Sequence, residues 1–221
     1  MQKADNWLFF SESYFETTKF LVKNRQNLNK KQKYILFPAL FNFKHGIECF
    51  LKFLSVSLIE EKENNHDIKY LFEELEKELY KEAGKIDLST NKQKVIKIIT
   101  KKLEDNKSIE FSIKEVVDTM TFFFNKENKI LELVKDYQSC AKVKDISNYC
   151  NQNSIEDKYN EVFRYPDSRA IRKGEIKYQD FIDDFAQRDW DNFLKDVCFL
   201  EESLYSLGCV IEFLAIIKSE F

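Results

Sequence analysis

Glycine and proline are scarce in this chain, with four and two residues among 221. An all-β fold needs many tight turns and a phosphate-binding loop needs several glycines, so the scarcity argues against both. No stretch rich in proline, glycine or serine marks a linker between domains. We therefore expect long helices in a single all-α domain over residues 1–221, with residues 85–140 as a candidate helical elaboration of it.

Residues that commonly carry chemistry are also few. The chain has two histidines, and its five cysteines are spread along the sequence without a Cys-x-x-Cys or Cys/His pair. A His-Glu-x-x-His motif and a recognisable Ser/His/Asp or Cys/His triad are absent as well. We expect no metal site and no cofactor. The cysteines are interpreted as reduced core thiols because most lie among apolar residues; they are Cys49, Cys140, Cys150, Cys198 and Cys209.

Neither sign of charge dominates, since 35 basic residues face 38 acidic ones and the net charge is −3. A general nucleic-acid-binding protein is basic, so any contact with RNA has to be local. The first residues lack the apolar core of a signal peptide, and the apolar stretch 207–217 is interrupted by Glu212 and too short to span a bilayer. These features predict a cytoplasmic protein that does not associate with a membrane.

Apolar residues recur at steps of three and four along most of the chain, which predicts an antiparallel bundle of about six to eight helices. The predicted helices cover residues 5–24, 34–61, 67–84, 92–104, 112–138 and 179–221, the last as one helix or a broken pair. Asp5 is the expected N-cap of the first helix, Gly84 the expected end of the third, and Pro38 either lies in the first turn of the second or kinks it. Between 146 and 178 the pattern fades, which predicts one long irregular segment with a small hairpin around 172–175.

Polar residues interrupt the second predicted helix at helical spacing. His45, Glu48 and Lys52 fall at i, i+3 and i+7, and therefore along one side of the helix. His66 and Asp67 begin the third helix, where Asp67 can serve as the N-cap and His66 can hold the preceding turn. One interpretation is a ligand site, in which Glu48 binds a charged group and His45 contacts a base or phosphate. The other, which we favour, is a structural polar network joining the helix to His66 and to the irregular segment.

The irregular segment contains three of the five arginines in the chain. Arg164 is followed by Tyr165, and Arg169 and Arg172 lie within the next eight residues. The planar guanidinium suits carboxylates and phosphates, so this cluster predicts contact with a small anion or an RNA backbone. An equally weighted alternative is that Arg164 docks the segment by pairing with Glu48 while the other arginines are solvated.

These motifs resemble those of HEPN-like bacterial proteins. Residues 44–54 (KHGIECFLKFL) are similar to the central helix of that family, 66–72 (HDIKYLF) to its His-Asp helix start, and 163–166 (FRYP) to a later segment of many members. The resemblance implies an all-α bundle, often dimeric, that belongs to toxin–antitoxin, abortive-infection or other antiviral defence systems. Active members of the family are metal-independent ribonucleases whose site combines residues of two protomers.

One feature of those ribonucleases is missing from this chain. They carry an arginine separated by four to six residues from a histidine, and neither His45 nor His66 has an arginine at that distance before it. Arg164 is followed at the corresponding spacing by Arg169, which cannot act as a general acid or base near neutral pH. The resemblance therefore does not extend to the standard catalytic motif.

We accordingly expect a noncatalytic HEPN-like binding or assembly protein that forms a homodimer. Its expected ligand is an RNA or nucleotide, or a protein partner encoded by a neighbouring gene. The expected contact residues are Arg164, Tyr165, Arg169 and Arg172. The expected polar network beside them consists of His45, Glu48, Lys52, His66 and Asp67. Two alternatives stay open: a ribonuclease toxin with a non-standard site, and a purely structural subunit of a larger complex.

Overall fold

The computed structural model describes residues 2–26, 35–59, 65–85, 97, 100–101, 113–138 and 190–219. Its helices are α1 (Gln2–Lys23), α2 (Leu36–Ile59), α3 (Ile68–Lys85), α4 (Ile113–Gln138) and α5 (Trp190–Ser219). These described ranges contain no strand, which confirms the all-α class. The total of six to eight helices and the HEPN-like arrangement stay predictions. The irregular segment and its hairpin lie outside the described residues.

The ends of α1, α2 and α3 show how three residues expected near helix ends are placed, namely Asp5, Pro38 and Gly84. α1 already begins at Gln2, so Asp5 is not its N-cap; the three residues before Asp5 are good helix formers and extend the helix. α3 continues through Gly84 to Lys85, because one glycine costs a helix only about 1 kcal/mol and does not by itself end it. Pro38 lies in the first turn of α2, where its missing N–H would have no helical partner.

α2 is the central helix of the described structure and packs against α1, α3 and α5. Its apolar side chains are buried on more than one face, and they include Ala39, Leu40, Phe43, Ile47, Phe50, Leu51 and Leu54. Full burial of a leucine or phenylalanine contributes about 1.5–3 kcal/mol, so this helix anchors the core. Polar side chains on α2 are consequently held in a rigid setting.

α1 and α2 run antiparallel and approach closely at Gly46. Ser11 Oγ donates a hydrogen bond to the Gly46 carbonyl at 2.9 Å, while further along α1 Thr18 Oγ1 lies 3.4 Å from the Ala39 carbonyl. A Cβ atom at Gly46 would lie 3.3 Å from the nearest side-chain atoms of α1, which is tighter than an ordinary contact. The glycine therefore permits the close packing of α1 against the polar side of α2.

α5 packs against the other flank of α1 and runs antiparallel to it. Lys19 Nζ lies 2.9 Å from Glu201 Oε2, and Arg25 Nη2 lies 2.8 Å from Asp191 Oδ1. The flank of α1 that faces α5 is therefore ionic, whereas the flank that faces the centre of α2 is aromatic.

Among the described helices, none combines the length and apolarity required to cross a membrane.

The interpretation of the cysteines as core thiols is correct for only one of the three that the structure describes. Cys49 is buried, and burial raises the pKa of its thiol to about 12. Cys198 and Cys209 are exposed, because they fall on the outward side of α5 although their sequence neighbours are apolar. All three are free thiols. Cys140 and Cys150 lie outside the described residues.

Candidate functional site

Glu48 occupies the middle of α2 and accepts three hydrogen bonds. Lys52 Nζ and His66 Nδ1 each lie 2.8 Å from Oε1, and His45 Nδ1 lies 3.1 Å from Oε2. Lys52 and His45 reach the carboxylate from α2 itself, one helical turn to either side. His66 reaches it from the residues that precede α3. One carboxylate therefore links the middle of α2 to the beginning of α3.

The turn before α3 orients His66. Asn65 Oδ1 accepts a hydrogen bond from the backbone N–H of Asp67 at 2.9 Å, which fixes the two residues on either side of the histidine. The Asp67 carboxylate accepts from the backbone N–H of Tyr70 at 3.0 Å and thus caps the N-terminus of α3. Asp67 acts on its own helix, and its role in the site is to hold the position from which His66 contacts Glu48.

The protonation of Glu48 determines which atoms of the histidines donate. Burial alone would raise the pKa of this carboxyl, but hydrogen bonds from His45 and Lys52 and the charge of Lys52 outweigh it and lower the pKa to about 2. The ionised carboxylate has no proton to donate at neutral pH, so both imidazoles must donate from Nδ1. Nε2 of each ring is left for another partner.

Aromatic rings of α1 and α2 contact the His45 ring and the Lys52 ammonium. The centroid of the His45 ring lies 4.8 Å from that of Tyr14, edge to face, and 5.4 Å from that of Phe41, nearly parallel to it. Lys52 Nζ lies 5.2 Å from the centroid of the Trp7 ring, a cation–π contact. These contacts restrict the plane of the His45 ring and the direction of the Lys52 ammonium.

His45, Glu48, Lys52 and His66 form a cluster in which side-chain exposure increases from the ion pair at its base to the two histidines at its mouth. The side chain of Glu48 is 2% exposed and that of Lys52 5%, whereas His45 is 23% and His66 52% exposed. A molecule approaching from solvent therefore meets the two imidazoles before the ion pair beneath them. In the described part of the chain, no group of three or more His, Cys, Asp or Glu side chains is arranged to hold a metal ion.

The structure brings together four of the five residues of the expected polar network. His45, Glu48, Lys52 and His66 form direct hydrogen bonds, and Asp67 supports them through the α3 cap. The expected contact residues Arg164, Tyr165, Arg169 and Arg172 lie outside the described residues. Pairing between Arg164 and Glu48 consequently stays a prediction.

The sequence placed Trp7 and Tyr14 only among the apolar positions of the first helix and did not identify them as residues of the site. A signal was present, because Trp7 and Tyr14 are seven residues apart, as are His45 and Lys52. On antiparallel helices such equal spacing lets both pairs meet at once, Trp7 with Lys52 and Tyr14 with His45. The signal becomes usable only when the pairing of α1 with α2 is known.

No family model matches the chain, and comparisons with curated proteins and with solved structures found no significant match. The resemblance to HEPN-like proteins therefore rests on residues 44–54, 66–72 and 163–166 alone.

Proposed function

We propose that this chain is a cytoplasmic, HEPN-like binding protein that holds a phosphate group of an RNA or nucleotide at His45 and His66. One observation carries the proposal: a single buried, ionised carboxylate holds both imidazoles through Nδ1. Because Glu48 occupies that nitrogen of each ring, Nε2 is the atom available to a ligand. When Nε2 also carries a proton, each imidazolium donates from it, and two such donors at the mouth of a rigid cluster suit the oxygens of a phosphate.

The charge balance of the cluster supports an anionic ligand. The Lys52 ammonium compensates the Glu48 carboxylate, so uptake of a proton by either histidine gives the four-residue cluster a net positive charge. The imidazolium forms would then donate from Nε2 to the phosphate while Nδ1 still donates to Glu48.

The remaining parts of the proposal come from the arginine cluster and from the motif resemblance. Arg164, Tyr165, Arg169 and Arg172 would extend the contact along the ligand, since guanidinium groups bind phosphates in a bidentate manner. Formation of a homodimer, a protein partner encoded by a neighbouring gene, and a place in an antiviral defence or toxin–antitoxin system belong to the same proposal.

Binding of a fluorescently labelled single-stranded RNA, followed by anisotropy, tests the proposal. We expect the double variant His45→Ala/His66→Ala to lose at least about tenfold in affinity relative to the wild type. Lys77→Ala is the matched control, because it removes an exposed positive charge about three turns along α3 from His66. Equal affinity of the wild type and a folded double variant would contradict the proposal.

A metal-independent ribonuclease is the second candidate function, favoured by the pairing of the same two rings. Two imidazoles with Nε2 directed away from a shared carboxylate can act as general base and general acid in cleavage of a phosphodiester. Cleavage of RNA in the presence of a chelator, abolished by His45→Ala or His66→Ala, would replace the binding proposal with this one. RNA that is neither bound nor cleaved would favour the third candidate, a purely structural subunit.

A further inference from the structure

We infer that Phe10 and Tyr14 form a stacking platform for an unpaired base next to the phosphate held by the histidines, an inference that rests on the proposed function. The Phe10 and Tyr14 rings are stacked, with centroids 6.5 Å apart and planes 27° apart. Tyr14 in turn contacts His45 with its centroid 4.8 Å away. A continuous row of rings thus leads from the surface of α1 to the imidazole at the mouth of the cluster.

The position of Phe10 distinguishes it from the other exposed aromatic residues of α1. Phe10 is 50% exposed, and Phe9 and Phe20 are 65% and 64% exposed. Phe9 and Phe20 are eleven residues apart and therefore share the outward side of the helix, three turns from each other. Phe10 lies on the flank that carries Tyr14, and its stack points toward the polar cluster. A base stacked on Phe10 would remove this apolar surface from water, which favours binding.

Two acidic side chains of α1 lie away from the flank that carries Phe10. The carboxylate of Glu12 accepts a hydrogen bond from the Tyr205 hydroxyl at 2.7 Å, and Glu16 pairs with Lys19, which also contacts Glu201. Both acidic residues therefore face α5, on the opposite flank from Phe10. A phosphate chain that follows the aromatic row toward His45 would not run along these carboxylates.

These observations favour single-stranded RNA or a free nucleotide as the ligand. Bases in a duplex are already stacked on each other, whereas an unpaired base offers its face to an aromatic side chain. Such stacking tolerates any base, and removing the aromatic ring typically weakens binding by roughly tenfold. The platform therefore predicts affinity for unpaired bases without strong sequence preference.

Two labelled oligonucleotides of equal length, one with bases and one with an abasic backbone, separate the base contact from the phosphate contact. We expect the wild type to bind the base-containing strand about tenfold more tightly than the abasic strand. Phe10→Ala should remove this difference and leave abasic binding unchanged. Phe10→Tyr, which keeps a ring, should restore it. Phe20→Ala is the matched control and should change neither affinity.

Equal affinity of the wild type for the two strands would overturn the platform while leaving the phosphate site intact. Binding of neither strand, or binding that survives His45→Ala/His66→Ala, would instead remove the proposed function and the platform with it. A second copy of the chain could also cover the exposed ring of Phe10. Light scattering on the same variants tests this alternative by measuring the mass of the particle. A Phe10→Ala protein whose mass falls while the base-dependent affinity is retained would assign Phe10 to a dimer interface and overturn the inference.

Discussion

Replacing Glu48 with glutamine removes the charge at the base of the site while almost preserving the shape of the side chain. A carboxylate offers acceptor sites on two oxygens, but an amide offers one oxygen and an NH₂ group that can only donate. If the amide oxygen faces Lys52 and His66, its NH₂ group faces His45 Nδ1, which keeps a hydrogen bond only by switching to the other tautomer. The buried Lys52 ammonium also loses its hydrogen-bonded counter-ion. We expect the folded state of Glu48→Gln to be strongly destabilised.

Two independent routes give the same magnitude for this effect. A shift of the Glu48 pKa from its ordinary 4.5 to about 2 corresponds to about 3 kcal/mol of stabilisation by the ionised form. Removal of one partner of a buried ion pair typically costs about 3–5 kcal/mol, because the other charge is left buried and uncompensated. A loss of about 3 kcal/mol is a large part of the usual total stability of about 5–15 kcal/mol.

The predicted loss depends on pH in a defined direction. Because the pKa of Glu48 is lower in the folded state than in the unfolded state, the stabilisation is fully present above about pH 4.5 and is lost as the pH falls toward 2. The difference in the free energy of unfolding between wild type and Glu48→Gln should therefore be largest near neutral pH. It should narrow below pH 4.5, because the unfolded wild type takes up a proton at Glu48 there, whereas the folded protein does so only near pH 2.

Urea unfolding followed by circular dichroism measures this difference. With a slope near 3 kcal/mol per molar urea, a loss of about 3 kcal/mol lowers the midpoint by about 1 M. Glu74→Gln is the matched control, since Glu74 forms an exposed pair with Lys77 at 3.4 Å and such pairs contribute at most about 1 kcal/mol. A Glu48→Gln protein within 1 kcal/mol of the wild type at pH 7 would refute the central role assigned to this carboxylate.

Two further predictions concern the packing of the helices. Gly46→Ala should destabilise the fold by about 1 kcal/mol in the same urea assay, because its Cβ would lie only 3.3 Å from side chains of α1. At Gly208 the nearest contact of a Cβ would be 3.5 Å, so Gly208→Ala should stabilise the fold by up to about 1 kcal/mol through its higher helix propensity. In alkylation mapped by mass spectrometry, Cys198 should react first. Cys209 should react more slowly, because partial desolvation and the charge of Glu212 raise the pKa of its thiol, and Cys49 should react only after unfolding. Greater loss from Gly208→Ala than from Gly46→Ala, or rapid labelling of native Cys49, would contradict the packing.

Helix positions were predictable here because amphipathic spacing is a local property. The interval 112–138 was predicted and α4 spans Ile113–Gln138, while 34–61 was predicted and α2 spans Leu36–Ile59. The ends were less predictable, because a cap residue such as Asp5 competes with the helix propensity of its neighbours. Exposure of individual residues was also poorly predicted, as Cys198 shows, since the apolar character of a neighbourhood does not specify which side of a helix faces outward.

In the candidate site, too, some contacts could be predicted from local spacing, whereas others depend on how the helices pack. The stripe of His45, Glu48 and Lys52 follows directly from helical spacing, and its hydrogen bonds lie within one helix. His66 is eighteen residues from Glu48, and the contact between them depends on how α3 folds back along α2. Tyr14 is further away in sequence still, and its contact with His45 depends on the close approach of two antiparallel helices.

The use of Nδ1 by Glu48 reconciles a stabilising role of the cluster with ligand binding. In the neutral ring and in the imidazolium alike, His66 donates from Nδ1, so uptake of a proton at Nε2 leaves its hydrogen bond to Glu48 in place. The charge of the mouth can therefore change without breaking the link between α2 and α3. Had Nδ1 been the acceptor in that hydrogen bond, protonation would have broken it. The polar network and the proposed phosphate site are consequently compatible functions of the same four side chains.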